Sequence, residues 1–63
     1  MGYIEMNHYD IKVKNNTGTG LLKIRIITHE TIEVDQLNEF SQMRLKDVMD
    51  RVQSSYTGKV MVL

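Results

Sequence analysis

The chain has 63 residues, eight basic and eight acidic side chains that cancel to zero formal charge, and no cysteine, tryptophan or proline. Its length limits it to one small domain, 1–63, and its charge balance removes bulk attraction to nucleic acid or an anionic membrane. The lack of cysteine excludes disulfides, thiolate catalysis, iron–sulfur clusters and cysteine zinc sites.

Met6 is an alternative start, which would place Met1–Glu5 outside the native chain. Apolar parity changes nearby. Ile4 and Met6 alternate on even numbers, whereas Tyr9, Ile11 and Val13 alternate on odd ones. A bulge near Asn7-His8, or a strand that begins only after it, is expected.

Tyr9–Lys14 and Leu21–Thr28 alternate and are rich in β-branched residues, which predicts two strands. Between them Asn15-Asn16-Thr17-Gly18-Thr19-Gly20 is polar, and its Asn and Gly residues accept positive φ, so a hairpin is expected. Pairing Lys14 with Leu21 sets Val13 against Leu22, Ile11 against Ile24 and Tyr9 against Ile26. All three pairs are apolar and share one face. The other face then carries Asp10 opposite Arg25 and Lys12 opposite Lys23, with Lys14 beside them.

Thr28–Thr31 predicts a bend, and Thr31–Val34 alternates briefly, as an extension of the second strand or as a short third one. Asp35 is the expected helix N-cap, with Ser41 as a second candidate. From there to Ser55, Leu37, Leu45, Val48, Met49, Val52 and Tyr56 fall on one helical face, with Phe40 at its flank. Leu45, Val48 and Val52 are expected to pack on Ile11, Val13, Leu22, Ile24 and Ile26. Asp47 with Arg51, and Lys46 with Asp50, have the spacing of ion pairs on the solvent side. Met43 projects opposite the apolar stripe, so Met43 and Arg44 form a candidate contact on the helix surface. Gly58 fits the position just past a helix end, and Lys59–Leu63 closes as a strand. The order predicts an α+β domain of ββαβ type, its hairpin and C-terminal strand covered on one face by a single helix.

At this size, apolar burial and chain ordering each amount to roughly 95 kcal/mol and nearly cancel. A second subunit is the expected source of the missing stability. Val60, Met61, Val62 and Leu63 are apolar on both alternating faces, and such a strand is usually central and covered on both sides. One helix covers only one face. The second cover must come from Tyr3, Ile4 and Met6 or from another copy, so Val60–Leu63 is the candidate self-association segment of a homodimer.

The motifs that suggest chemistry are incomplete. His29-Glu30-Thr31-Ile32-Glu33 resembles a zincin motif, but Glu33 replaces the second histidine and the segment does not read as helix. Gly18-Thr19-Gly20 joins two strands, whereas a phosphate loop runs from a strand into a helix. With two histidines and too little chain to wall off a pocket, no catalytic residue, metal or cofactor is expected, and the protein reads as a non-enzyme.

Lys12, Lys14, Lys23 and Arg25 share one surface and form the candidate ligand face. Two-stranded ribbons enter the major groove of DNA, but four cations are few and no aromatic is interleaved for stacking. A solvated sheet face is the plainer account. Residues 30–63 carry six acids against four bases, so the helical half is mildly acidic and the hairpin half mildly basic. The expected function is that of a small non-enzymatic protein-binding module acting stoichiometrically on a larger protein, as a regulator or inhibitor of the bacterial or phage kind. A nucleic-acid-binding β-ribbon protein (a small transcriptional regulator) is the alternative, and a structural or assembly subunit is the third reading. No apolar run is long enough to span a bilayer and no signal-peptide pattern opens the chain, so the cytoplasm is the expected compartment.

Overall fold

The structure, a computed structural model, describes residues 5–63. Strands β1 (Asn7–Lys14) and β2 (Leu21–Thr28) form a hairpin. Helices α1 (Val34–Phe40) and α2 (Leu45–Ser55) follow, and strand β3 (Gly58–Val62) closes the fold. All strands are antiparallel in the order β1-β2-β3, giving a small α+β domain with β2 at its centre.

The hairpin register is the one that hydrophobic pairing dictates, Lys14 on Leu21 through Asn7 on Thr28. A one-residue slip would turn every core side chain to solvent. The loop is held by its own polar groups. Asn15 Oδ1 accepts from the Thr17 amide at 2.8 Å, and the Asn15 carbonyl accepts from the Gly18 amide at 2.9 Å. Gly18 and Gly20 adopt φ of 83° and 76°, which glycine reaches without steric cost. β1 pairs without interruption from Asn7, so no bulge is needed there; Tyr3 and Ile4 lie outside the described residues, and Met6 precedes the strand.

Extending the register through β3 gives the sheet two defined faces, because directly opposed residues point the same way. Tyr9, Ile26 and Val60 form one row of the inner face, and Ile11, Ile24 and Val62 the next. On this side Val13, Ile24 and Ile26 are buried with Ile32, Phe40, Leu45, Val48 and Val52. Tyr9, Ile11, Leu22, Leu37, Met43, Met49, Tyr56 and Val60 pack around that cluster.

The helical region corrects the expectation of a single helix. Residues 41–44 break it in two, because this segment pairs with the open edge of β1: the Lys14 amide donates to the Met43 carbonyl at 3.0 Å. Neither expected cap is used. Asp35 lies in the first turn of α1, Ser41 ends that helix, and the cap positions belong to Glu33 and Arg44, which make no side-chain cap bond. The cap of α2 comes from the hairpin loop instead, where Asn16 Oδ1 accepts from the Lys46 amide at 2.8 Å. The break brings Phe40 fully into the core, so this side chain is central and not flanking. Arg51 bonds Glu39 of α1 at 3.3 Å, tying the two helices together.

Thr31–Val34 forms no strand. Ile32 enters the core while its amide donates to the Tyr9 hydroxyl at 2.9 Å. The same end of the sheet is fastened by a polar knot. Asn7 Nδ2 donates to the carbonyls of His29 and Glu30, the Thr28 hydroxyl donates to the Glu30 carbonyl, and the Glu30 carboxylate accepts from the Thr57 amide at 2.8 Å. The amide bond holds the Glu30 carboxyl below its usual range. Gly58 is not a helix cap: Tyr56 ends α2, and Gly58 opens β3 against β2. A Cβ at Gly58 would lie 1.9 Å from the Ile27 carbonyl oxygen, so close backbone approach requires glycine there.

Candidate functional site

Both helices pack on the inner side, and none of the described residues covers the outer face of the sheet. Its rows run His8–Ile27–Lys59, then Asp10–Arg25–Met61, then Lys12–Lys23, then Lys14–Leu21. The four sequence-selected cations therefore do share a face. Lys59, Leu21, Ile27 and Met61 belong to it as well: the hairpin register already gives Leu21 and Ile27, and extending it through Gly58 and Thr28 adds Lys59 and Met61. Leu21 is 62% exposed and Met61 42%, so the surface mixes cationic and apolar groups.

The four cations are not equivalent. Arg25 grips Asp10 with two bonds, Nε to Oδ1 at 2.8 Å and Nη2 to Oδ2 at 3.0 Å. That guanidinium holds the Asp10 carboxyl below its ordinary range, chiefly through the hydrogen bond. Its charge is therefore spent inside the face. Lys12, Lys14 and Lys23 are exposed.

Lys12 and Lys23 stand in the closest kind of antiparallel pair. The bond from the Asn15 amide to the Gly20 carbonyl fixes the alternation, so the odd-numbered residues of β1 are the bonded ones. Lys12–Lys23 is then a non-bonded pair, in which the Cα atoms approach to about 4.5 Å and the side chains lie nearest. Like charges directly opposite each other destabilise a sheet.

The same alternation defines the sheet edges. The His29 amide bonds the Thr57 carbonyl and the Leu63 amide bonds the Lys23 carbonyl, both at 2.9 Å. The odd-numbered residues of β3 therefore bond β2, and Gly58, Val60 and Val62 turn their N–H and C=O groups outward. β3 is an edge strand, not the covered central strand that its composition suggests, because β2 takes the centre. Val62 is 55% exposed and Leu63 52%. The β1 edge is different. Asp10, Lys12 and Lys14 place charges along it, and the turn before α2 pairs with its far end.

Met43 and Arg44 lie in the turn between the helices and not on a helix face. Met43 is half-buried and packs on the core, while the Arg44 guanidinium lies over Gly18. An open groove of about 380 Å³ lies beside α1, lined by Thr31, Glu33, Asp35, Gln36, Glu39 and Tyr56. Its carboxylates do not converge: among the described residues no group of three or more His, Cys, Asp or Glu side chains is placed to hold a metal. His29 is exposed in a bend, far from the helical geometry a zincin motif needs. Among the described residues, no helix is long and apolar enough to cross a membrane.

Comparison with known proteins gives no match to a family model, to a curated protein or to a solved structure.

Proposed function

We propose that this protein is a non-enzymatic binding module that acts stoichiometrically on a larger, acidic protein through the outer face of its sheet, as a regulator or inhibitor. The observation that carries this reading is the juxtaposition of Lys12 and Lys23 on a face that none of the described residues covers. Two lysines in the closest kind of cross-strand pair repel one another on a solvated surface, whereas carboxylates of a partner would relieve that repulsion. Exposed Leu21 and Met61 supply the apolar contacts that a protein interface uses beside such charges.

A nucleic-acid ligand fits this face less well. Asp10 sits within it and neutralises Arg25, which leaves three cations on the hairpin to meet a dense row of phosphates. The exposed apolar edge of β3 supports a second copy of the chain as a further partner. The reading places the protein in the cytoplasm.

Two measurements test the ligand face. Lys12→Ala is expected to stabilise the isolated domain by about 0.2–1 kcal/mol, because it removes the like-charge pair. The double variant Lys12→Glu, Lys23→Glu should lose a partner that the immobilised protein retains after nuclease treatment. Retention abolished by nuclease, or duplex binding that weakens steeply with salt, would move the assignment to nucleic acid.

A further inference from the structure

The C-terminal strand carries a more specific consequence, which rests on the reading of a second copy as partner. We infer that two chains join by antiparallel pairing of β3 with β3 in one register, with Val60 opposite Val60 of the other copy.

The backbone limits the choices. Only Gly58, Val60 and Val62 turn N–H and C=O groups outward, so only these residues can form bonded pairs across the edge. Antiparallel pairing about a twofold axis then allows registers that differ by two residues. Centring on Val60 forms three bonded pairs, Gly58 with Val62, Val60 with Val60, and Val62 with Gly58, each able to exchange two hydrogen bonds. A register centred on Lys59 or on Met61 forms only two such pairs within β3.

Side chains favour the same register. On the outer face it sets Lys59 against Met61 of the other copy, twice, so each lysine stem can cover an exposed methionine. Centring on Lys59 would instead oppose two ammonium groups. On the inner face, Val62 meets Gly58, which has no side chain to obstruct it. The β1 edge is blunted by charge and by the turn at residues 41–44, so β3 is the edge left to pair.

An antiparallel edge pair has its twofold axis normal to the sheet. The product is a six-stranded sheet with all four helices on one side and both lysine faces side by side on the other. Dimerisation therefore presents the ligand face in duplicate, and a partner with two acidic patches gains from both at once.

Because the chain has no cysteine, single cysteines report the register without background. In this register the two Val60 Cα atoms stand about 5.5 Å apart, within disulfide reach, while equivalent positions at 59 or 61 are more than about 7 Å apart. Val60→Cys should cross-link under mild oxidation at least ten times faster than Lys59→Cys or Met61→Cys. Faster cross-linking at 59 or 61 would overturn the register while leaving edge pairing intact. No preferential cross-linking at any of the three would overturn edge pairing. Val60→Pro gives an independent readout: it deletes an outward N–H and no bond to β2, so a folded monomer is expected. A folded Val60→Pro dimer would also overturn the inference. The lysine variants leave the cross-linking pattern unchanged, so failure of the ligand face and failure of the register remain separable.

Discussion

Gly58→Ala tests the packing of β3 directly. The added Cβ would meet the Ile27 carbonyl oxygen at 1.9 Å and the Thr28 Cα at 2.8 Å, both backbone atoms that no rotamer change can move. Clearing the oxygen requires β2 and β3 to part by more than an ångström. The nearest ladder bonds join Ile27 to Lys59 and His29 to Thr57. At about 0.5–1.5 kcal/mol each, losing these three bonds (two within the Ile27–Lys59 pair, one between His29 and Thr57) costs about 1.5–4.5 kcal/mol before any burial of Val60 is counted. A single-core domain of this size holds only about 3–5 kcal/mol, so the variant should retain little net stability. Urea unfolding followed by far-ultraviolet circular dichroism measures the shift in midpoint. Gly58→Asn separates this account from a helix-cap role, since a left-handed cap position tolerates Asn better than Ala. Both variants should fail alike. An Asn variant clearly more stable than the Ala variant, or either one within about 0.5 kcal/mol of wild type, would refute the close-approach argument.

Asn16→Ala should cost about 0.5–2 kcal/mol in the same melts, because it strips the cap from the Lys46 amide although the two residues lie in different elements. Val48→Asp, at a fully buried position, should abolish the cooperative transition; a melt within a few degrees of wild type would show that α2 buries another face. Acid unfolding should report Asp10 and Glu30. Both carboxyls are held below their ordinary values in the folded chain, by Arg25 and by the Thr57 amide respectively. The unfolded chain therefore binds protons first, so this stability is full above about pH 5 and is lost as the pH drops through the folded values. Asp10→Asn with Glu30→Gln should flatten that fall, and an unchanged acid limb would contradict the assignment.

The hairpin was legible in the sequence because two local facts agree: a six-residue polar loop and an alternation that lets each inward pair be apolar. With the register came the outer face, including Asp10 opposite Arg25. The helix break was not legible. Leu37, Leu45, Val48 and Val52 project onto one stripe whether or not residues 41–44 interrupt them, and the interruption is set by a distant strand edge whose Lys14 amide donates to the Met43 carbonyl. The cap of α2 was hidden for the same reason, since Asn16 is thirty residues from the amide it satisfies. Gly58 carried a misleading local signal: a glycine after a helix suggests a left-handed cap, while its requirement here comes from a neighbouring strand. Composition likewise suggested a covered C-terminal strand, and its exposed edge position follows from the strand order. That exposure leaves the β3 edge free to pair with a second copy.

The most direct test of edge pairing is the native mass of the wild-type protein by sedimentation equilibrium, from nanomolar to tens of micromolar. Edge pairing should give a reversible approach to twice the 7.3 kDa chain mass, with folded monomer from Val60→Pro under the same conditions. A folded wild-type chain that stays at 7.3 kDa across the whole range would contradict it.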